Sequence, residues 1–296
     1  MKLLLKFNLI FLVVFGLGSA LTGFLAYNFL RSDAKSQVIG QARLMMQTTL
    51  AVRRYTSTEI KPLLATRNEE RRNFLPQTVP SHSAINVFGY IHEQYPDYAY
   101  KEATLNPTNL RDRAVDWETD IVNHFRNHAD EKELVGERMT PAGASIFLAQ
   151  PMRIVDPACL ECHSTPDKAP PSMIRLYGPN NGFGWNLNEV IGSQIVSVPE
   201  SLAIKIADDE AKTLMISLAV IALATLAVLD LLLYFAVIRP VARLSTMADE
   251  ISRGNMEVDE LKITGRDEIS TLAESFNRMH RSLVRAMQML NQDPEV

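Results

Sequence analysis

Two long apolar runs restrict what this chain can fold into. Leu9–Leu30 carries no charged residue, and Leu214–Ile238 carries only Asp230. Either run, as a helix, is long enough to cross a hydrocarbon layer of about 30 Å. A helix satisfies its own backbone there within a single segment. A cleaved leader is the alternative for the first run, with Gly18-Ser19-Ala20 as a weak cleavage site. The run continues through Gly23, Phe24 and Leu25, which favours a retained anchor.

Two crossings place both termini on one side. Lys2 and Lys6 before the first run, with Arg239 and Arg243 after the second, make that side the cytoplasm. The outer flanks are mixed in sign, with Arg31, Asp33 and Lys35 after the first run and Asp208, Asp209, Glu210 and Lys212 before the second. The expected layout is a transmembrane anchor over 1–30, a periplasmic domain over 31–212 and a second transmembrane helix over 213–238. A cytoplasmic domain over 239–286 and a short tail over 287–296 complete it. The expected location is a bacterial inner (plasma) membrane. Asp230 is expected to meet a polar contact inside a dimeric helix bundle, because a carboxylate facing lipid is costly. Gly16, Ala20 and Gly23 offer small surfaces for helix packing.

The rest of the composition excludes several classes. Apolar residues make up 47 % of the chain, too many for global disorder. A net charge of −4 excludes a strongly basic nucleic-acid binder, and no nucleic-acid partner is expected. Two cysteines exclude a disulfide-dense scaffold.

Within the outer segment, Val38, Ala42, Met45, Met46, Thr49, Val52 and Ile60 recur near helical spacing, predicting a helix over 36–65 that Pro62 ends. This helix is expected to run directly on from the first apolar run. Residues 74–81 read as a loop, 83–90 as a short helix or strand, and 95–109 as an ordered loop rich in Tyr, Pro and Asn. Residues 114–127 read as a helix carrying Trp117, Ile121 and Phe125. Residues 145–149 and 152–155 predict two short strands broken near Pro151, and 194–198 another strand, with a helix starting at Ser201. The expected architecture is an α/β domain, a small sheet between long membrane-linked helices.

Both cysteines fall in Cys159-Leu160-Glu161-Cys162-His163. C-x-x-C-H is the attachment signature of a c-type haem. Two thiols at this spacing form thioethers with the two vinyl groups of one porphyrin, and the adjacent imidazole becomes the proximal iron ligand. The outward placement agrees, since covalent haem attachment occurs outside the cytoplasm. Three other readings stay open: a redox-active thiol pair, which leaves His163 unused; a structural zinc site, which needs four ligands; and a structural disulfide.

The sixth iron ligand is less constrained. The other outer histidines are His82, His92, His124 and His128. His124 and His128 lie one helical turn apart, but their polar surroundings read as solvated surface. Met45 and Met46 lie on the first helix, and a thioether is an axial ligand that raises haem potential. Methionines in such a stripe also serve as core packing, and the helical register does not separate the two roles. The stretch Gly178–Gly184, followed by Trp185 and Asn186, lacks the phosphate-loop pattern. It reads as a loop packed over an apolar cofactor or as an ordinary turn with a buried tryptophan. No catalytic triad, zinc-hydrolase motif or paired carboxylates stand out, so the chain is not expected to be an enzyme.

Residues 36–205 resemble the haem-binding domain of the Tll0287-like family, found in many bacterial sensor kinases. The matching stretches run in order: Ala51-Val52-Arg53-Arg54-Tyr55-Thr56, Val79-Pro80-Ser81, Tyr100-Lys101-Glu102-Ala103 and Asn106-Pro107-Thr108-Asn109. They continue through Cys159–Pro166, Tyr177-Gly178, Gly182-Phe183-Gly184-Trp185 and Val196-Ser197-Val198-Pro199. The resemblance implies a PAS-like fold with one covalent haem c, Cys159 and Cys162 as thioether sites and His163 as proximal ligand. One family pattern has a cysteine on the first helix as distal ligand. This chain has none there, and Met46 is the expected substitute from the matching helix region.

Residues 238–284 resemble a HAMP linker domain. Ile238-Arg239-Pro240-Val241 opens it, with Leu244, Met247 and Ile251 on one helical face. A connector follows through Gly254 and Gly265, then Asp267-Glu268-Ile269 with Leu272, Phe276 and Met279 on a second face. Each helix has one narrow apolar stripe that must be buried. The resemblance implies a parallel four-helix coiled coil across a homodimer that relays signals from membrane helices; a plain coiled-coil anchor is the simpler alternative. Beyond this helix only 288–296 remain, so the expected output is a separate cytoplasmic protein. His280, inside the second HAMP helix, is not expected to accept a phosphoryl group.

The expected function is therefore a membrane-bound c-type haem sensor passing a redox or gas signal through the HAMP helices to that partner. A membrane-anchored cytochrome for periplasmic electron transfer is the alternative, which the HAMP resemblance disfavours. A haem-free binding or structural protein is the third.

Overall fold

The computed structural model describes residues 3–65, 74–140, 143–262 and 265–292. Residues 263–264 of the expected connector and 293–296 of the expected tail therefore lie outside the described residues. In chain order come α1 (Leu3–Tyr55), a π-helical turn (Thr56–Ile60), α2 (Lys61–Ala65), α3 (Pro80–Gln94), β1 (Ala99–Thr104) and α4 (Asp116–Asn127). Next are β2 (Leu134–Thr140), β3 (Gly143–Arg153), α5 (Leu160–His163), α6 (Pro171–Tyr177) and β4 (Val190–Pro199). The chain continues with α7 (Glu200–Leu233), a second π-helical turn (Tyr234–Ile238), α8 (Arg239–Ser252) and α9 (Glu268–Gln292). Two compact units divide it: Tyr27–Ala211, and Met1–Ala26 together with Lys212–Val296.

The Tyr27–Ala211 unit is built on a four-stranded antiparallel sheet in the order β1-β4-β3-β2. The two-residue period of each strand sends alternate side chains to opposite faces. Ile146, Leu148, Val196 and Val198 join Ala34, Val38, Ala42 and Met46 of α1, Phe88 of α3 and Ala203 of α7 in one apolar cluster. Their sequence neighbours Phe147, Ala149 and Ile195, with Ala103 of β1, pack instead against Ile121, Val122 and Phe125 of α4. The buried positions of α1 here, Ala34, Val38, Ala42, Met46 and Thr49, follow the three-to-four spacing of a one-faced helix.

Four expectations need correction. Residues 99–104 are strand β1, not loop, because alternate side chains find burial on the two faces: Tyr100 stacks on Phe88 at 5.2 Å while Ala103 packs on the α4 side. Strand β2 went unanticipated; its half-exposed alternation on an edge carries little apolar signal. Strand β3 runs unbroken through Pro151. Past Ala149 its pairing with β2 has ended, and a position with one strand neighbour tolerates proline. Finally, Pro62 does not end the first helix. The turn before it widens, Lys61 N–H donates to the Thr56 carbonyl, and the helix continues to Ala65.

In the other unit the most apolar windows of both long helices are unburied, which excludes the core helix of a soluble protein. Both are candidate membrane spans. Asp230 meets Asn8, whose Nδ2 donates to it at 3.1 Å, a polar contact between the two apolar helices of the chain. Gly23 leaves room for Met215, whose Cε lies 2.6 Å from where a Cβ would stand. In α8, Leu244, Met247 and Ile251 are buried as the stripe predicted. In α9 the face buried within the chain is Ala273, Asn277 and His280; Phe276 is half-buried, while Leu272 and Met279 are exposed. Asn277 clasps the connector in both directions, accepting from Leu261 N at 3.1 Å and donating to its carbonyl at 2.9 Å. His280 Nε2 donates to the Met256 carbonyl at 3.2 Å.

Candidate functional site

The C-x-x-C-H segment follows the exit of β3. Asp156 Oδ1 accepts from Ala158 N at 2.9 Å and starts a tight turn over Pro157–Cys159, with proline where its missing N–H costs nothing. Cys159 caps α5, which brings Cys162 and His163 round within one turn. Both thiols are free and half-buried.

His163 is held from three sides. Its Nδ1 lies 2.7 Å from the Gly182 carbonyl, which can only accept, so Nδ1 carries the proton and the Nε2 lone pair is left free. The Trp185 indole stacks on the ring at 3.9 Å and 13°, fixing its plane. Trp185 N donates to the His163 carbonyl at 3.3 Å, and Gly184 N to that of Ser164 at 2.9 Å. Thr108 Oγ1, at 3.5 Å from Nδ1, is too distant to compete. Burial holds the imidazole below its ordinary pKa, opposed by the Gly182 contact, which favours the neutral form that ligates a metal.

The glycine loop is itself anchored. Asn106 Nδ2 donates to the Phe183 carbonyl at 3.0 Å, and Asn106 Oδ1 accepts from Gly182 N at 3.1 Å. Gly182 has φ +83°, and a Cβ there would stand 2.2 Å from Thr108 Oγ1. Only glycine fits that contact at that backbone angle. Sequence reasoning saw the glycines but missed Asn106 and Thr108 as their anchor; the order of matching stretches was the available signal.

The electrostatics separate the open readings. Burial pushes both thiols up; Lys61 opposes it at each, and Arg53 also at Cys159. A redox-active pair needs a depressed thiol, so that reading loses support. Among the described residues no group of three or more His, Cys, Asp or Glu side chains converges as a metal-ion site, which leaves zinc without a ligand set. A haem needs two accessible thiols and one imidazole with a free, oriented Nε2. The segment supplies these, and the Ser164 hydroxyl that follows it is buried without a hydrogen-bond partner.

Met46, the expected distal ligand, is fully buried in the apolar cluster under the sheet. From the same helical run, the charges of Arg53 and Lys61 act on the thiols. There Arg53 pairs with buried Glu102 at 2.6 Å, and Tyr100 OH donates to Glu102 at 2.7 Å. His124 Nε2 donates to the Glu131 carboxylate at 2.6 Å, and its ring stacks on His128 at 4.3 Å.

The Tll0287-like family pattern matches residues 31–199, and the HAMP domain pattern matches 232–285. Among solved structures, the chain is similar to the cyanobacterial heme-protein Tll0287, with 13 % identity and a TM-score of 0.42 over 55 % of this chain and 95 % of that one. No curated protein matches the chain in sequence.

Proposed function

The chain belongs to the Tll0287-like family and carries a HAMP domain, and from that premise we propose that it is a membrane-bound sensor holding one covalent haem c. Cys159 and Cys162 form the thioethers, and His163 is the proximal ligand. The observation that carries this reading is the His163 ring: its proton is committed to the Gly182 carbonyl and its plane is set by Trp185, leaving Nε2 as a neutral ligand. A haem bound there supplies redox change or gas binding; the residues of the chain orient it and set its surroundings. The antiparallel sheet with helices on both faces supports a PAS-like domain. The basic residues beside each apolar run support two crossings, cytoplasmic termini and a periplasmic haem domain.

The HAMP helices carry the signal to a cytoplasmic signalling partner as a homodimer. Leu272, Met279, Leu283 and Met287 remain exposed along one side of α9 at heptad-like spacing. A second copy covers that stripe in a parallel four-helix bundle. An electron-transfer cytochrome needs no such bundle, which disfavours the alternative. Such a relay requires two packings whose balance the haem state shifts.

The test is the full chain expressed with haem-attachment machinery and run on a denaturing gel stained for haem. Wild type is expected to retain the stain, and the Cys159→Ala, Cys162→Ala double variant to lose it. Absence of Soret absorption in the wild type overturns the reading.

A further inference from the structure

The Tyr27–Ala211 unit also contains a cavity of about 380 Å³ over the α4 side of the sheet, beside edge strand β1. None of its lining residues belongs to the Cys159–His163 segment. The volume lies at the small end of ligand sites. Its walls combine apolar surface from Trp117 and Ile195 with charged groups, and the pairing of those charges decides what fits.

Lys101 is already satisfied: its Nζ donates to Glu118 at 2.6 Å and to the Arg113 carbonyl at 2.9 Å. Arg111 Nε donates to Asp112 at 3.2 Å. Arg138 differs. Among the described residues it has no ion pair, its guanidinium lies over the Trp117 ring at 3.6 Å, and its Nε is sealed from water without a hydrogen-bond partner. Burial also holds its pKa down, opposed by the charge of Glu118. The cavity thus presents one cation without a direct ion pair among the described residues, held over an indole. A guanidinium held over a ring face keeps its edge donors for another partner, and a carboxylate accepts two of them side by side. Glu118 and Asp112 also line the cavity, which disfavours a dianion such as phosphate.

We propose that this cavity binds a small organic monocarboxylate, with its carboxylate on Arg138 and its apolar body against Trp117 and Ile195. The site is separate from the haem segment, so its occupancy does not depend on the haem reading.

The test is calorimetric titration of the full chain in detergent with propionate, benzoate, benzyl alcohol and inorganic phosphate. At least one carboxylate is expected to bind saturably and raise the melting temperature. Benzyl alcohol, with the same ring and no charge, is expected to bind about tenfold more weakly or worse. Arg138→Gln is expected to weaken the carboxylate by about tenfold or more, and Arg138→Lys by less. If Arg138→Gln does not fold, the benzoate against benzyl alcohol comparison in wild type decides alone. No binding by either carboxylate, equal binding of benzyl alcohol, unchanged binding in folded Arg138→Gln, or binding of phosphate alone overturns the proposal.

Discussion

The imidazole of His163 and the thioether of Met46 sit in opposite kinds of surroundings. His163 is held by directional contacts, a carbonyl on Nδ1 and an indole on its face, supplied by a loop that Asn106 pins in turn. Met46 is held by shape alone, between the aliphatic side chains of α1 and the sheet, with no exposed surface. A directional cradle selects one tautomer and one ring plane, which is what coordination needs. An apolar cluster selects volume. The two residues expected as iron ligands, His163 from its motif and Met46 from the family resemblance, thus sit in different kinds of surroundings.

The largest expected effect is at His163. His163→Ala is expected to abolish the histidine-ligated visible spectrum while both thiols remain available, measured on oxidised and reduced protein. An unchanged spectrum breaks the comparison at its stronger side. Met46→Ala is expected to do the reverse. The lost side chain and the cavity it leaves cost about 2–5 kcal/mol of unfolding free energy, read by denaturant titration, with the haem spectrum unchanged. Loss of a methionine–iron charge-transfer band in Met46→Ala, but not in Met45→Ala, returns Met46 to the iron and breaks the comparison from the other side.

Gly182→Ala tests the cradle without touching the ligand. The positive φ and the collision with Thr108 are expected to cost about 1–3 kcal/mol. Because the strain acts on the carbonyl that faces Nδ1, a shift in haem potential should accompany it. A stability loss with the potential unmoved reduces the loop to scaffolding. Gly184→Ala, also at positive φ but with no atom within contact of the added Cβ, controls for loop strain alone.

These differences also mark where sequence reading succeeds. Periodic burial was legible: the α1 stripe through Val38, Ala42 and Met46 and the α8 stripe through Leu244, Met247 and Ile251 fall where the pattern puts them. The C-x-x-C-H spacing was legible because its chemistry is local. Strand β1 was not, since Tyr100 and Glu102 face one side and Lys101 the other, and their burial depends on partners distant in sequence. The same holds for α9, where Asn277 and His280 are buried against a connector rather than by an apolar stripe. Asn106 and Thr108 belong to this second kind. Nothing in their own stretch announces a histidine 55 to 57 positions later, and the contact exists only once the glycine loop folds over them.

The smallest effect concerns how α1 keeps the Met46 side in register. One turn before Met46, Arg43 donates to Glu133, just ahead of β2, through Nη2 at 2.5 Å and Nε at 3.1 Å. The hydrogen bonds from Arg43, opposed by burial, hold the Glu133 carboxyl below the usual carboxylate range. A carboxyl depressed in the folded state adds stability that is present above its unfolded value of about 4.3 and is lost as pH falls through the lower folded value. Both side chains are partly solvated, so the expected contribution is only about 0.5 kcal/mol. Glu133→Gln should therefore be slightly less stable than wild type at neutral pH, with the gap closing below pH of about 4 and shrinking at high salt. A gap that persists in acid assigns the effect to packing of the side chain rather than to the charge of Glu133.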